Sequence, residues 1–331
     1  MSTSPKFGVF VPQGWRLDLI HIPDPVEKYE TMTRVGRDAE RLGFDSIWVY
    51  DHFHTVPAAE LETTFEAWTI TAGLARDTKT IRLGQMVTCN NYRNPALLAK
   101  IASTVDVMSH GRLDFGIGAG WYDDEYLAYG YDYPDGPTRL RMLREALEII
   151  HAMWRDDYAT FEGQFYGVRG AINEPKGVQK PHPPIWVGGG GEKVTLKLVA
   201  QYADACNVNG MDIAVAAHKL EVLRGHCATV GTDYGRLIKS AEVMAFLLEP
   251  GQEGRAEELT APYRGGRPLA EMGSWTYGTP PWLIGTPAQL IDHLGRLVDL
   301  GIDYFIIYLP NVVDPAALEL LAREVLPAFR K

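Results

Sequence analysis

The sequence predicts an α/β protein, a (β/α)8 or TIM barrel with insertions, built as one domain over residues 1–331. Three observations predict it. Short apolar runs at 7–11, 46–50, 81–88, 113–117, 185–187, 205–208, 241–247 and 304–309 alternate with amphipathic stretches along the whole chain. Most are β-branched or aromatic and apolar on both faces, the pattern of parallel strands covered from two sides. Helix starts are marked between them. Asp24-Pro25, Asn94-Pro95 and Asp314-Pro315 each set a capping side chain before a proline at the first helical position. Thr286-Pro287 adds Gln289 in capping-box position. The third observation is an echo. Leu42-Gly43-Phe44-Asp45 leads into SIWVY, and Leu300-Gly301-Ile302-Asp303 leads into YFIIY. Both read as helix end, glycine stop and buried strand, where the second and last strands of a barrel fall.

The elements follow from local chemistry. The helix after Asp24 carries Val26, Tyr29, Val35, Ala39 and Leu42 in one stripe, and Gly43 ends it. Three stretches break the βα rhythm and read as insertions: 121–137, rich in Tyr and Asp; 156–184, with the hairpin-like ATFEGQFYGV and a proline-rich tail; and 249–285, rich in Gly, Pro and aromatic residues. Each is expected at or near the C-terminal ends of strands, the face on which a barrel builds its site.

The length of 331 residues suits one barrel with insertions. A net charge of −10 argues against nucleic-acid and anionic-membrane partners, which need clustered Lys and Arg. The three cysteines, Cys89, Cys206 and Cys227, form no CxxC pair, so a disulfide framework is not expected and a reducing compartment fits. The N-terminal MSTSPKFGVFVPQG lacks the apolar core of a signal peptide, and no apolar run has the length of a membrane span. The expected location is the cytoplasm.

Asp51-His52 directly follows SIWVY, at the C-terminal lip of a barrel strand, where polar residues bind ligands or catalyse. His52 is the candidate to take or give a proton near neutral pH; the alternative is an Asp-His pair that only closes a loop. Met86-Val87-Thr88-Cys89-Asn90 ends the third strand with small groups suited to a planar ring, and Cys89 reads as a buried, inert thiol rather than a nucleophile. Gly116-Ile117-Gly118-Ala119-Gly120-Trp121 is not a dinucleotide fingerprint, since Trp121 stands where GxGxxG needs glycine and no clear helix follows at once. It does let bare backbone approach a flat ligand. Gly188–Gly191 lies between PIWV and EKVTLKLVAQYA. Exposed backbone N–H groups and a helix N-terminus there suit a phosphate, with Lys193 in the first turn adding charge; a tight turn is the alternative. Asp123-Asp124-Glu125 are consecutive acids that point in different directions, so a solvated loop is expected rather than a metal site.

IWVYDHF, IRLGQMVTCNNYRNPALLAK, SHGRLDFGIGAGWYDDEY and HPPIWVGGGGEK together resemble the bacterial luciferase-like monooxygenase superfamily, and within it the branch of coenzyme F-420 (deazaflavin)-dependent oxidoreductases. The resemblance runs from Phe7 to the last helix. It implies a luciferase-like (β/α)8 barrel with the cofactor ring in its mouth. It implies that Asp51 and His52 border the ring, with His52 handling the proton, and that a cis peptide lies at Met86-Val87 or Val87-Thr88. Val87, Thr88 and Cys89 would touch the ring. Gly120, Trp121 and Asp124 would flank its edge and ribityl chain. Gly189, Gly190, Gly191, Glu192, Lys193 and Val194 would hold the phosphate. Hydride transfer between coenzyme F-420 and a small organic substrate is the implied activity, in a homodimer. An FMN-dependent monooxygenase using oxygen and a separate reductase is the alternative, and a non-catalytic cofactor-binding protein is the third reading. One departure matters. In related sugar-phosphate dehydrogenases a catalytic acid follows the glycine matching Gly120; here Trp121 does. With Trp15, Tyr122 and Tyr126 it suggests an apolar or planar substrate.

Overall fold

The structure, a computed structural model, describes residues 4–264, 267–272 and 282–330. Its strands are β1 (Lys6–Phe10), β2 (Ser46–Val49), β3 (Arg82–Gln85), β4 (Thr88–Cys89), β5 (Leu113–Gly118), β6 (Ala159–Glu162), β7 (Gly167–Ala171), β8 (Ile185–Gly188), β9 (Ala205–Asn209), β10 (Ile238–Leu247), β11 (Leu283–Gly285) and β12 (Tyr304–Tyr308). The helices are α1 (Pro25–Arg41), α2 (Ala67–Asp77), α3 (Pro95–Met108), α4 (Asp123–Ala128), α5 (Gly136–Arg155), α6 (Thr195–Tyr202), α7 (Ile213–Val230), α8 (Ala256–Thr260), α9 (Pro287–Asp299), α10 (Pro315–Leu320) and α11 (Leu326–Phe329).

Parallel pairing runs β1-β2-β3-β5-β8-β9-β10-β12 and returns from β12 to β1, so the sheet closes into the eight-stranded barrel the sequence predicts. In that circuit β3 and β10 stand diametrically opposite. The expected run at 81–88 is interrupted: β3 stops at Gln85, a cis Met86-Val87 peptide follows, and β4 resumes against β5 with Thr88 opposite Ile117. β11 adds to the upper part of β10; it is three residues long inside the proline-rich 249–285 stretch, too short for a periodic signal.

The caps form as read. Asp24, Asn94 and Asp314 accept from the backbone N–H groups of Glu27, Ala96 and Ala316. Gln289 reaches back to the Thr286 N–H at 2.9 Å. Gly43 and Gly301 adopt φ of 85° and 91°, the left-handed values that end α1 and α9 in the echoed units. Strand faces and helix stripes share one core. Leu290, Leu294 and Leu297 of α9 are fully buried in it, each contributing about 1.5–3 kcal/mol.

The barrel interior is aromatic. Trp48, Trp186 and Tyr304 pack edge to face with ring centroids 4.9–6.3 Å apart. Trp48 fits because its neighbours are Gly8 and Gly84, where a Cβ would come within 2.5 Å of the indole. Its Nε1 and the Tyr304 hydroxyl both donate to Ser46 Oγ.

The insertions are placed unequally. Segment 121–137 follows β5 and contains α4. The segment 156–184 does not follow a strand; it joins α5 to the start of β8, so its proline-rich tail enters the barrel from the opposite end to that expected. Only its β6–β7 hairpin reaches the loop side, where the Tyr166 hydroxyl accepts from Asn90. Of the 249–285 insertion, 265–266 and 273–281 lie outside the described residues. Among the described residues no helix is long and apolar enough to cross a membrane.

Candidate active site

A cavity of about 330 Å³ opens at the C-terminal ends of the strands. The residues singled out from sequence come together there. Asp51, His52, Val87, Thr88, Cys89, Gly120, Trp121, Gly189 and Gly190 all line it. Gly191, Glu192, Lys193, Val194 and Asp124 do not.

The two members of Asp51-His52 do different work. Asp51 is tied down: it accepts from Cys89 N–H at 2.9 Å and takes both Nη groups of Arg93, at 2.6 and 3.0 Å. It thereby pins the end of β2 to β4, as the loop-closing alternative envisaged. His52 instead turns to Glu125, with Nδ1 2.7 Å from Oε2. Glu125 is fully buried and also accepts from the Phe53 and His54 N–H groups and from the Tyr92 hydroxyl. Burial pushes its carboxyl up, but the His52 hydrogen bond and the other donors outweigh that and hold it below the usual carboxylate range. A buried carboxylate only accepts, so Nδ1 of His52 carries a proton and Nε2 is the nitrogen left to exchange one. The imidazole stacks on Trp15 at 4.0 Å with the planes 1° apart, and Trp121 and Tyr122 meet its edge.

This corrects the reading of Asp123-Asp124-Glu125 as a solvated loop. A short helix, α4, does follow Trp121, and its turn sends Asp123 and Asp124 outward while Glu125 and Tyr126 point in. Asp124 is exposed and stays clear of the cavity. Glu125 is the residue sequence reasoning missed. The signal for it is the tyrosine beside it, which marks the buried face of the turn.

Val87 projects from the cis peptide into a space made by glycines: a Cβ at Gly118 or Gly188 would lie within 2.8 Å of its methyl groups. Thr88 is fully buried and accepts from Trp68 Nε1 at 3.1 Å. The Cys89 thiol lies 3.0 Å from the Tyr126 hydroxyl, and burial pushes it up to about 12, in keeping with an inert thiol. Gly120 has φ 73°, and a Cβ there would strike Tyr126 and Cys89. Trp121 is 39% exposed and stacks on Tyr122.

At the glycine run, Gly188 is the last residue of β8 and Gly189 has φ 114°. The helix begins later than the sequence suggests, at Thr195, so Lys193 precedes it, is exposed and does not reach the cavity. The cation at this end is Lys219 of α7, which lines the cavity beside Gly189 and Gly190 and donates to Glu192 Oε1 at 2.6 Å. Gly191 is packed on Thr195, whose Oγ1 a Cβ would meet at 2.7 Å. Lys219 lies 28 positions from Gly191, and no local pattern links them.

The far wall carries polar groups the sequence did not single out. Glu242, in the middle of β10, lines the cavity with Arg16, Tyr50, Asn207, Asn209 and Met244. The Tyr50 hydroxyl donates to Glu242 Oε1 at 2.8 Å, and Arg16 stands 4.0 Å from the same oxygen. The Arg16 guanidinium lies over the rings of Trp15, Tyr50 and Tyr308 at 4.6–5.1 Å.

Fold and cavity define a (β/α)8-barrel protein with its site in the loop-side mouth. The chain belongs to the luciferase-like monooxygenase family, whose model matches residues 5–304. Among curated proteins it is 30% identical over 233 residues to an F-420-dependent glucose-6-phosphate dehydrogenase of Kineococcus radiotolerans, covering 68% of this chain and 66% of that one. It is also 30% identical over 200 residues to the oxygenase component of a flavin-dependent trigonelline monooxygenase of Acinetobacter baylyi, covering 60% and 52%. Among solved structures, an F-420-dependent secondary alcohol dehydrogenase in complex with an F-420–acetone adduct superposes with a TM-score of 0.79 at 21% identity, over 99% of this chain and 100% of that one.

Proposed function

We propose that this protein is a coenzyme F-420-dependent oxidoreductase that moves a hydride between the deazaflavin and a small organic substrate, with His52 handling the accompanying proton. The observation that carries the reading is the His52–Glu125 pair at the lip of a cavity whose other end is a glycine cradle beside Lys219. The lining suits a flat ring with a phosphorylated tail. Val87, seated in the space that Gly118 and Gly188 leave it, would give the ring an apolar back, and Gly189 and Gly190 would offer backbone N–H groups to the phosphate. When bound, the deazaflavin supplies or accepts the hydride at carbon 5.

The chain's own residues do the rest. Glu125 fixes the His52 ring and its tautomer, so that Nε2 faces the reacting pair. Trp15, stacked under the imidazole, holds its plane. Tyr50, Met86 and Met244 make the cavity lining apolar and exclude water from the transfer. Aromatic surroundings favour an apolar or planar substrate, and Trp121 after Gly120 argues against a sugar phosphate. The similarity to F-420-dependent enzymes supports this cofactor.

Titrating the purified protein with coenzyme F-420 should quench or shift the cofactor's fluorescence at micromolar concentration. No binding at high micromolar ligand overturns the reading. The similarity to a flavin-dependent oxygenase component gives FMN as the second reading, with a partner reductase. A chain that takes up FMN in preference, and consumes oxygen when given reduced FMN, would establish it. We further propose a homodimer, which light scattering tests directly.

A further inference from the structure

Glu242 of β10 and Val87, which follows β3 and packs on the ends of β5 and β8, line the same cavity from different strands. A ring backed by Val87 would leave its other face to the rest of that lining, which includes Glu242, and the substrate would lie there to receive or give the hydride. On that wall Glu242 is unusually poised. Only 18% of its side chain is accessible, and that surface opens on the cavity. The Tyr50 hydroxyl and the more distant Arg16 both approach Oε1. Oε2 has no hydrogen-bond partner among the described residues. A carboxylate oxygen facing a largely apolar cavity loses its water when a ligand fills that cavity, so a ligand that brings a donor is favoured over one that does not.

The bracing is specific. Tyr50 stacks on Phe10 at 4.2 Å, which fixes the hydroxyl that holds Oε1. Arg16 is clamped over three rings and balances the carboxylate's charge without reaching hydrogen-bond distance. The wall is therefore an ion pair with one free acceptor. Asn207 and Asn209 line the same side; their Oδ1 atoms are engaged by Ser240 Oγ and by the Met211 N–H.

We propose that Glu242, braced by Tyr50 and Arg16, determines substrate specificity by accepting a hydrogen bond from the substrate, and that the enzyme takes small apolar or planar substrates bearing a hydroxyl or protonated amine at the end away from the reacting carbon. Carboxylates and phosphates at that end are rejected, because they bring an acceptor and a negative charge to a buried acceptor. Burial, the dominant influence, pushes the Glu242 carboxyl up against the opposing pull of Arg16 and Tyr50, in keeping with a group short of donors.

The inference rests on the cofactor reading above, and one experiment separates the two. Cofactor-loaded protein is titrated calorimetrically with 4-hydroxybenzaldehyde, benzaldehyde and 4-carboxybenzaldehyde, probes that differ only at the far end. In the wild type the hydroxyl probe should bind at least about tenfold more tightly than the unsubstituted one, and the carboxylate probe most weakly. Glu242→Leu should abolish the hydroxyl preference, and Tyr50→Phe should reduce it, while the affinity for coenzyme F-420 stays within about twofold. Thermal melting identifies any variant that has not folded; in that case Glu242→Gln, which keeps the shape and an acceptor oxygen but loses the charge, should relax the discrimination against the carboxylate probe. Equal binding of the three probes, no binding of any, or an unchanged preference in folded Glu242 variants overturns the proposal. So does a loss of cofactor affinity on Glu242→Leu, which would assign the carboxylate to the cofactor. If the wild type takes no F-420, the cofactor reading fails, and the same titration on FMN-loaded protein still decides the role of Glu242.

Discussion

Two buried carboxylates flank one cavity, each beside a tyrosine hydroxyl, and they behave in opposite ways. Glu125 is held below its usual range; Glu242 is pushed above it. Burial acts in the same direction on both. The difference is in donors: Glu125 collects Phe53, His54, Tyr92 and His52, whereas among the described residues Glu242 has only Tyr50 within hydrogen-bond distance. Arg16, at 4.0 Å, offsets part of the burial but not all of it. Converging hydrogen bonds, rather than a nearby charge, make a buried acid a fixed anchor. The acid short of them is left as an acceptor facing the cavity.

The most severe test of the anchored side is His52→Ala. Turnover should fall by about 10²–10⁴-fold with cofactor affinity little changed, read from steady-state kinetics beside a binding titration. A fall of less than threefold would leave the His52 wall without a catalytic role. Glu125→Gln keeps the shape and removes the charge, and a drop of about 10–10²-fold is expected, with a displaced pH–rate profile. The same variant tests the sign of the shift. A carboxyl lowered in the folded state stabilises above its unfolded value, and that contribution is lost as pH falls through the folded one. Thermal melts of the wild type should therefore decline through the acid range, and those of Glu125→Gln should decline less. A third comparison concerns the two lysines near the glycine run. Lys219→Met should weaken cofactor binding about tenfold, whereas Lys193→Met should stay within about twofold. The smallest effect is expected at Cys89. With its thiol near 12, native protein should resist iodoacetamide at pH about 8, as mass spectrometry would report.

The barrel was legible because its signals are local and repeated. Capped helix starts at Asp24, Asn94, Thr286 and Asp314, and glycine stops at Gly43 and Gly301, need only a few adjacent residues to be recognised. Much of the site was legible for the same reason, since strand ends such as Asp51-His52 and Val87–Cys89 point into the mouth by construction. What stayed hidden depends on contacts distant in sequence or on helical phase. Lys219 and Glu242 come to the cavity from α7 and the middle of β10, with no neighbouring motif. Glu125 was hidden among three acids that only the turn of α4 separates. Lys193 looked like the phosphate cation because the helix was expected to start at once, and three residues of delay carry it into solvent. Segment 156–184 was expected on the loop side because long insertions often build sites, but it follows a helix, and chain direction sent its tail to the other end.

The indole of Trp48 between Gly8 and Gly84 has a kinetic consequence. With Trp186 and Tyr304 it stoppers the barrel from beneath, so traffic to the cavity passes through the loop-side opening. Two ligands sharing one doorway cannot exchange independently when one sits behind the other. The deeper occupant enters first and leaves last, and turnover becomes a queue: initial-rate patterns should show ordered addition, with the second ligand trapping the first.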